Sequence, residues 1–488
     1  MLIANRGEIA VRIARAAREL GWRVVTVYTP EDAYSLHRLV ADESYEVSSY
    51  LAKEEIVEVA TRAGVDVVHP GYGFLAEDPS FARMVLNAGM EWAGPRPEKM
   101  DLLSDKMAVK ELAMKVGIPT LPFREVASVK DVEDFAKRYG YPLILKRSRE
   151  GGGRGQRVVW SYSDAEKALE VLAKEGRGRI YVEKYIPRAK HVEVQIAGDR
   201  HGAVVHLFER ECSIQRRRQK IVEEAPSPTM VRNTELREEL LGYAVKLAEA
   251  VNYDSVGTIE FVYDIDSGRI YLIECNARLQ VEHGVTEMVT GIDLVKLQLL
   301  TAIGRELPVK QRDIAVRGWA IEARIYAEDP ENGFAPSEGV VERFYIPTGP
   351  GIRIDTAVHE GSYIDPRYDT LIAKVIAWGE DRHTAIERLR RALDETIIGG
   401  VKTNLELLRV VVRDERFVDG SYTTTYLEES LPRFVETIRR IRRVVAVALE
   451  AIRSEVRRVR SSISSLVRGG RISAPCYGWL AADSGRLW

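Results

Sequence analysis

Five polar side chains alternate along one short stretch in the second half of the chain. They are Glu274, Asn276, Arg278, Gln280 and Glu282. In an extended backbone, residues two apart lie on the same face of the strand. The spacing therefore predicts that all five side chains line one polar wall.

Two segments before this wall have the pattern of a β-hairpin. Residues 258–263 and 269–274 read as strands, and an Asp-Ser-Gly sequence between them is typical of a tight turn. This pairing places Glu260 opposite Glu274, where two facing carboxylates repel each other. A Mg²⁺ ion held by carboxylates and substrate phosphates would remove that repulsion, with Asn276 as a third ligand. A solvated strand face without an ion is the alternative.

A lysine and a glycine run follow another apolar strand, predicted at 141–146. Lys146 ends the strand, where its ammonium can meet a phosphate as a compact charge. Gly152 and Gly153 belong to the run that follows, and glycines let backbone N–H groups approach phosphate oxygens. No Gly-Lys-Ser/Thr sequence follows, so the pattern is not a P-loop. We interpret it as a nucleotide-binding lid, with a flexible turn as the alternative.

Composition limits the class of protein. The 488 residues suffice for about three domains or one multi-lobed enzyme, and the net charge of −2 argues against a nucleic-acid binder. Cys212, Cys275 and Cys476 are far apart, which argues against a disulfide framework or a zinc site and suits the cytoplasm. We find no apolar run of signal-peptide or membrane-spanning type. We therefore expect a cytoplasmic protein.

Longer motifs carry a resemblance that extends from Ile3 to about Leu431. Two N-terminal sequences, Ala-Asn-Arg-Gly-Glu-Ile-Ala and His-Pro-Gly-Tyr-Gly-Phe-Leu, and the segments 209–226 and 274–283 are similar to those of biotin carboxylases, members of the ATP-grasp superfamily. The resemblance implies a chain of α/β and α+β parts with the ATP-grasp fold. Such a fold has a Rossmann-like N-terminal lobe, a small glycine-loop lid and a larger C-terminal lobe.

The expected domain division follows from the same resemblance and from the tail described below. We expect an N-terminal α/β domain at 1–93, a helical linker at 94–120, the ATP-grasp lid at 121–185, the ATP-grasp C-terminal lobe with the biotin carboxylase C-terminal domain at 186–432, and a basic amphipathic helical tail at 433–488.

The resemblance also implies roles for residues around ATP. Two Mg²⁺ or Mn²⁺ ions that bridge ATP would be held by Glu260, Glu274 and Asn276. Lys146, Gly152 and Gly153 are expected at the phosphates, and Lys106 at a phosphate or on the adenine side. Glu183 and the backbone of Lys184, Tyr185 and Ile186 are expected at the adenine, His191 at the ribose or a phosphate, and Arg218 at a phosphate.

A second group of roles concerns bicarbonate and biotin. The residues implied to bind bicarbonate are Lys220, Arg278, Gln280 and Val281. Glu282 would act as the base that deprotonates bicarbonate, and Arg324 would stabilise the enolate of biotin while Arg278 holds the acid.

Two positions depart from the family pattern. Arg149 and Glu150 stand where relatives usually continue a run of five glycines, so we expect a stiffer and more charged lid base. Arg218 stands where relatives commonly have His. An arginine there can still contact a phosphate strongly, but it cannot carry a proton near neutral pH.

The implied reaction is ATP-dependent carboxylation of biotin by bicarbonate, by way of carboxyphosphate. The chain has no Met-Lys-Met biotinylation motif, so we expect biotin on a separate biotin carboxyl carrier protein. We expect a homodimeric subunit of an acyl-CoA carboxylase that works with a carboxyltransferase subunit and binds no nucleic acid. A pyruvate or 2-oxoglutarate carboxylase subunit would look the same.

Two further alternatives stay open. Another ATP-grasp ligase would share the metal pair but would not be expected to combine the 278–283 motif with Arg324. A catalytically weakened scaffold subunit, suggested by Arg149, Glu150 and Arg218, would keep the fold without full activity.

The last segment differs from the rest in charge. From residue 433 it contains twelve arginines, no lysine and four acidic residues, a net charge of +8, which leaves −10 on the first 432 residues. Its apolar residues recur every three or four positions, which predicts a helix with one seam. They are Phe434, Ile438, Ile441, Val445, Ala448, Ile452, Val456, Val459 and Ile463. We expect a docking arm for an acidic partner subunit; packing on the catalytic body is the alternative.

Overall fold

The computed structural model describes residues 1–150, 155–175 and 178–468, with side chains to residue 461. The predicted lid residues Gly152 and Gly153 lie outside the described residues. The backbone divides into two compact units, Met1–Leu431 and Pro432–Trp488. The finer division of the first unit into lobes, linker and lid stays a prediction.

Parallel strands connected by helices form the N-terminal part, as the sequence alternation predicts. The strands are β1 (Leu2–Ile3), β2 (Val25–Tyr28), β3 (Glu43–Glu46), β4 (Val67–His69) and β5 (Glu91–Trp92), and the helices are α1 (Gly7–Glu19), α2 (Leu36–Leu39), α3 (Lys53–Arg62) and α4 (Pro79–Asn87). The sheet order is β3-β2-β1-β4-β5, with β1 at the centre. The apolar face of α1, including Ile9 and Ile13, is buried in a core that also contains Ile3 and Val67.

Two helices follow this sheet, α5 (Pro97–Leu103) and α6 (Lys106–Lys115). Asp105 caps α6, because its side chain accepts hydrogen bonds from the backbone N–H groups of Met107 and Ala108. The cap fixes where the helix begins and so places Lys106 at its first position, as the sequence predicts.

A four-stranded antiparallel sheet with two helices forms the next part. Its elements are β6 (Phe123–Glu125), α7 (Val129–Tyr139), β7 (Leu143–Arg147), β8 (Gln156–Val159), α8 (Tyr162–Lys174) and β9 (Ile180–Lys184). The strand order is β6-β9-β7-β8. This part has a small core of its own, in which Val132 and Phe135 of α7 pack with Leu145 of β7 and Leu172 of α8.

An eight-stranded antiparallel sheet forms the centre of the remaining part. Its strands are β10 (Ala189–Gly198), β11 (Val204–Arg216), β12 (Gln219–Ala225), β13 (Val256–Asp264), β14 (Arg269–Asn276), β15 (Trp319–Tyr326), β20 (Ile352–Thr356) and β22 (Leu371–Gly379). Their order is β14-β13-β10-β11-β12-β15-β22-β20. The hairpin predicted around residue 267 is confirmed as β13 and β14.

Helices and short strands complete the first unit. The helices are α9 (Pro228–Val231), α10 (Thr234–Ala250), α11 (His283–Thr290), α12 (Leu294–Ala302), α13 (Arg382–Glu395), α14 (Leu405–Val411) and α15 (Glu415–Val418), with 3-10 turns at Pro30–Asp32, Gln311–Asp313 and Pro330–Asn332. The short strands are β16 (Glu328–Asp329), β17 (Ala335–Pro336), β18 (Gly339–Val340), β19 (Arg343–Tyr345), β21 (Tyr363–Ile364) and β23 (Ile397–Gly399).

Charged residues are paired directly across the large sheet. One row runs through Glu274, Glu260, Glu193 and Arg210 on four successive strands. Other cross-strand pairs are Glu223 with Glu322 and Arg324 with Lys374. Residues that face each other across a sheet lie on the same side of it. The sheet therefore collects titratable side chains that are far apart in sequence.

The predicted helical tail is confirmed as α16 (Tyr426–Arg468), which continues 43 residues. Phe434 and Ile438 are buried, whereas the seam residues that follow are 47–59% exposed. These exposed residues are Ile441, Val445, Ile452, Val456 and Val459. None of the helices in the described part of the chain combines the length and apolar character needed to cross a bilayer.

Candidate active site

The two carboxylates that the sequence places opposite each other lie in register on neighbouring strands. Glu260 on β13 pairs with Glu274 on β14, so the predicted pairing is confirmed. Asn276 lies two residues after Glu274, and its Nδ2 donates a hydrogen bond to Glu260 Oε1 at 2.8 Å. The oxygen-bearing side chains therefore meet at the end of the hairpin away from its turn.

Basic groups contact both carboxylates. His191 Nε2 is 2.9 Å from Glu260 Oε2, and Lys220 Nζ is 3.3 Å from Glu260 Oε1. Lys106 Nζ is 2.6 Å from Glu274 Oε2. Burial alone would raise the pKa of Glu260, but Lys220 and His191 outweigh burial and lower that pKa. An ionised set of oxygen donors fits a hard divalent cation such as Mg²⁺.

The predicted wall is wrong beyond Asn276. The strand β14 ends at this residue, and 277–282 form an irregular segment that leads to α11, with Glu282 at the helix N-cap. Because the segment leaves the sheet, the two-residue spacing no longer fixes side-chain directions. The Arg278 guanidinium connects the polar side chains instead, because it donates hydrogen bonds to Asn276 Oδ1 at 3.3 Å and to Gln280 Oε1 at 3.0 Å.

One buried carboxylate lies between two cations. Glu282 is 1% exposed; its Oε1 pairs with Lys220 Nζ, and its Oε2 accepts from Arg324 Nη2 at 2.8 Å. Burial alone would raise the pKa of Glu282, but the charges of Lys220 and Arg324 outweigh it and hold the pKa well below its ordinary value. Glu282 is therefore ionised and can accept a proton once a ligand draws these cations away.

Lys220 connects this carboxylate to the paired acids on the sheet. Its Nζ contacts Glu282, lies 2.5 Å from Glu193 Oε2 and lies 3.3 Å from Glu260 Oε1. One ammonium thus contacts three carboxylates. An anion that binds at Lys220 would therefore change the electrostatic surroundings of both Glu282 and Glu260.

Three glutamates surround the guanidinium of Arg324. Its Nη2 pairs with Glu223 and Glu282, and its Nε is 3.6 Å from Glu322 Oε1. Glu223 and Glu322 are paired across β12 and β15, and both are fully buried. Burial raises the pKa of Glu322 well above its ordinary value and that of Glu223 to about 7. The glutamate pair therefore holds a proton near neutral pH.

A second buried carboxylate lies at the lid side. Glu183, at 1% exposure, pairs with Lys146 of β7 and with Lys110 of α6. Burial lowers the pKa of Lys146, and the charge of Glu183 opposes that effect. Both carboxylate oxygens contact lysines, so an adenine amino group at this position would have to meet the main chain of Glu183.

The residues after β9 keep contact with the lid elements. Lys184 N donates to Pro122 O at 3.0 Å, and the ring of Tyr185 lies edge-on to that of Trp160 at a centroid distance of 6.4 Å. Ile186 packs against a small apolar cluster. The predicted adenine-binding stretch therefore joins the lid to the large sheet.

Lys106 is buried at 7% exposure, in contrast to a solvated helix lysine. Besides its contact with Glu274, its Nζ donates to the backbone carbonyl of Glu150 at 2.7 Å. The neighbouring Arg149 has its Nε 3.5 Å from Asp105 Oδ2. These contacts tie the base of the lid to the start of α6. They border a cavity of about 120 Å³ lined in part by Lys106, Arg149, Glu150, Glu274 and Asn276.

The other predicted nucleotide contacts lie nearby. His191 Nδ1 is 2.5 Å from Gln215 Nε2, so the ring is held between Gln215 and Glu260. Arg217 and Arg218 form the two-residue turn between β11 and β12, with φ of 47° and 68°, the left-handed region that few side-chain-bearing residues adopt. Arg218 Nη1 lies 3.5 Å from Gln156 O on β8. The turn thus places this guanidinium beside the lid.

Several residues of this network were missed by the sequence reasoning. The fully buried Arg210 donates to Glu193 Oε1 at 2.6 Å and to Gln195 Oε1 at 2.6 Å. Lys110, Glu223 and Lys374 were missed as well, whereas a pairing of Glu322 with Arg324 on one strand face had been considered. The available signal was the alternation of polar residues in β10, where His191, Glu193 and Gln195 occur at every second position and are separated by valines. Such alternation on a buried strand indicates a polar site.

The buried glutamate pair predicts a pH dependence of stability. Glu322 has a raised pKa in the folded chain, so the folded state binds this proton more tightly than the unfolded state, and stability is lost as pH rises above the ordinary value of 4.5. Glu322→Gln removes the titration. We expect the free energy of unfolding of the variant, relative to that of the wild type, to rise by up to about 1.4 kcal/mol per pH unit above about pH 4.5, until Glu322 itself ionises in the folded wild type.

Denaturant unfolding of both proteins across this pH range measures the difference. The exposed Glu54, changed to Gln, serves as the control and should leave the profile unchanged. Parallel profiles for wild type and Glu322→Gln would contradict a protonated Glu322.

Comparisons with known proteins agree with this geometry. Three family models match the first unit: "Biotin carboxylase, N-terminal domain" at 1–100, "Carbamoyl-phosphate synthase L chain, ATP binding domain" at 105–310 and "Biotin carboxylase C-terminal domain" at 322–429. The chain is 46% identical to the 2-oxoglutarate carboxylase small subunit of Hydrogenobacter thermophilus, with 88% of this chain and 93% of that protein covered. It is 43% identical to biotin carboxylase 1 of Bacillus subtilis, with 88% and 98% covered.

A solved structure of a biotin carboxylase domain also matches this chain. The biotin carboxylase domain dimer of the Hydrogenobacter thermophilus 2-oxoglutarate carboxylase, in complex with MgADP, ADP and bicarbonate, matches with a TM-score of 0.86 at 44% identity. The match covers 89% of this chain and 98% of that one. The chain therefore belongs to the biotin carboxylase family and has its ATP-grasp fold.

Proposed function

We propose that this chain uses ATP and bicarbonate to carboxylate biotin that is attached to a separate carrier protein. The observation that carries the proposal is the ionised Glu282 between Lys220 and Arg324, close to the Glu260–Glu274 pair. This arrangement provides a base, anion-binding cations and a phosphate-binding edge in one place. Bicarbonate-dependent ATP cleavage, assayed with and without free biotin, tests it.

Bicarbonate would bind where cations and amide groups converge. Arg278, Gln280, Lys220 and the main chain of Val281 would hold it, and its charge would draw Lys220 away from Glu282. The pKa of Glu282 would then rise from its lowered value, which lets the carboxylate accept the bicarbonate proton. The deprotonated oxygen attacks the γ-phosphate of ATP to form carboxyphosphate and ADP.

The nucleotide would lie between the lid and the large sheet. Lys106, Lys146, His191 and Arg218 would meet phosphates and ribose, and the main chain at 183–186 would meet the adenine. Mg²⁺ or Mn²⁺ ions held by Glu260, Glu274 and Asn276 would offset phosphate charge during transfer. Closure of the lid, with Gly152 and Gly153, keeps water from the unstable intermediate.

Biotin would be carboxylated beside Arg324. Carboxyphosphate would break down to CO₂ and phosphate, and this phosphate would take the proton of the biotin ureido nitrogen. The nitrogen would then attack CO₂, while the guanidinium stabilises the biotin oxyanion through preorganised charge. The glutamates around Arg324 hold its side chain in place before biotin arrives.

The acceptor of the carboxyl group is decided by another subunit. The sequence-based proposal is an acyl-CoA carboxylase, in which a carboxyltransferase subunit completes the reaction. The 46% identity to a 2-oxoglutarate carboxylase small subunit favours a 2-oxo acid as a second candidate. Carboxyl transfer from the loaded carrier to acetyl-CoA, propionyl-CoA, pyruvate or 2-oxoglutarate in the reconstituted complex separates these candidates. The dimeric relative supports a homodimer.

The base assignment predicts the effect of Glu282→Gln. We expect bicarbonate-dependent phosphate release to fall about 10²–10⁴-fold, because a general base is lost. ATP binding, measured by calorimetry, should stay within about twofold, because Lys146 and Glu183 are unaffected. Near-wild-type turnover of a folded Glu282→Gln protein would rule out this base.

The lid base predicts a second result. Arg149→Gly with Glu150→Gly removes the half-exposed Arg149–Asp105 ion pair, a contact worth about 0.2–1 kcal/mol, so lid closure should accelerate by a factor of about 1.4 to 5. Stopped-flow ATP binding measures the closure rate, and the single-turnover chemical rate should not change. Arg149→Lys, which keeps the charge, is the matched control. Identical binding kinetics in the glycine variant would refute a stiffened lid.

The exposed seam of α16 predicts a third result. Because Phe434 and Ile438 are buried, a chain that ends at Arg440 keeps both of them and loses the part of the helix whose described side chains, at 441–461, are exposed. We expect carboxylation of free biotin to stay within about twofold, since the seam contributes no predicted site residue. Co-purification with the partner subunits should drop. Loss of free-biotin activity in the shortened chain would show that the tail belongs to the catalytic body.

A further inference from the structure

Lys374 is a fully buried lysine on the apolar strand β22. Its ammonium donates a hydrogen bond to the backbone carbonyl of Val281 at 2.9 Å. It also lies 3.1 Å from Glu8 Oε1 and 3.5 Å from Asp355 Oδ2. A buried ammonium is costly unless it is paired in this way, so its three partners account for its presence in the core.

The carbonyl that Lys374 contacts belongs to the segment before the base. Val281 directly precedes Glu282, in the irregular stretch between β14 and α11. No side chain caps the N-terminus of α11, because Glu282 occupies the N-cap position without a capping hydrogen bond. The backbone just before the base is held at two carbonyls, that of Gln280 by His283 Nδ1 at 2.8 Å and that of Val281 by Lys374.

The pairing of β22 with β15 also holds the carboxylate end of Glu282. Lys374 on β22 is paired with Arg324 on β15. Arg324 contacts the side chain of Glu282, while Lys374 contacts the carbonyl of the residue before it. Two directly paired residues of one rigid sheet therefore fix both the backbone and the carboxylate of the base.

The carboxylates beside Lys374 are anchored on other elements. Glu8 lies in the first turn of α1 and accepts from the hydroxyl of Tyr72. Asp355 on β20 is held by two hydrogen bonds from Arg353, at 3.0 and 2.8 Å. Lys374 thus connects the N-terminal α/β part and the sheet edge to the segment that carries Glu282.

We propose that Lys374 is a positioning residue, which holds the Val281 carbonyl and thereby fixes Glu282 relative to Lys220 and Arg324 for proton transfer from bicarbonate. This inference rests on the proposed function. The inference predicts different effects on the kinetics of bicarbonate and of ATP. Lys374 contacts the segment predicted to bind bicarbonate and none of the residues predicted to bind adenine.

The experiment compares Lys374→Met with the wild type in bicarbonate-dependent ATP cleavage in the presence of free biotin. We expect kcat/KM for bicarbonate to fall about 10²-fold, because a shift of about 1 Å in a catalytic group has that effect. The KM for ATP should stay within about twofold. The pH profile of kcat/KM for bicarbonate should shift, since the surroundings of Glu282 change.

A matched control is Lys110→Met, which also removes a fully buried lysine that donates to a backbone carbonyl, here Leu272 O at 3.0 Å. Lys110 contacts Glu183 on the lid side, so its loss should raise the KM for ATP instead. The double variant Lys374→Met with Glu8→Gln keeps the buried charge balanced, and it should restore the unfolding temperature without restoring kcat/KM for bicarbonate.

The outcomes are distinguishable. A wild type without bicarbonate-dependent ATP cleavage would overturn the proposed function itself. An active wild type with unchanged kcat/KM for bicarbonate in a folded Lys374 variant would overturn only the positioning role. Equal losses for ATP and bicarbonate, failure of both Lys374 variants to fold, or recovery of bicarbonate kinetics in the double variant would also overturn it, because each indicates a purely structural lysine.

Discussion

The ion pairs of one buried carboxylate determine the arrangement of the whole site. Glu282 is removed from water, and an isolated carboxylate in that position would be protonated or would destabilise the fold. Lys220 and Arg324 keep it ionised, and each of them also contacts another glutamate. Each charge in this network therefore depends on the others. To bring all of them together, strands from distant parts of the sequence must be in register.

This constraint explains why the large sheet carries charges in rows. The row from Glu274 to Arg210 and the pair of Arg324 with Lys374 lie on strands whose register leaves little freedom for individual side chains. The proposed metal ligands and the cations Lys220 and Arg324 are thus held on or at the ends of strands, whereas Arg278, Gln280 and Glu282 lie on the irregular segment before α11. Lys220 contacts both Glu260 and Glu282, so an anion that binds Lys220 would affect both carboxylates.

Local sequence patterns were enough to predict some parts of this site. The β13–β14 hairpin, the pairing of Glu260 with Glu274 and the first residue of α6 follow from alternation, a turn and a cap within a few residues of one another. The extended wall beyond Asn276 was wrong, because a strand pattern says nothing about where the segment leaves the sheet. Arg210, Lys374 and Glu223 were missed, because their partners come from other elements. The tail shows the same limit: its periodicity predicted the helix but not that Phe434 and Ile438 are buried while later seam residues are exposed.

The central claim is that bicarbonate itself attacks ATP after Glu282 has taken its proton. Transfer of ¹⁸O from labelled bicarbonate to inorganic phosphate tests this claim most directly, because the attacking oxygen stays on phosphorus when carboxyphosphate loses CO₂. The account predicts that each phosphate released during biotin carboxylation carries one labelled oxygen from bicarbonate, and that Glu282→Gln slows label transfer and phosphate release together. Phosphate that carries an oxygen from water instead would contradict it.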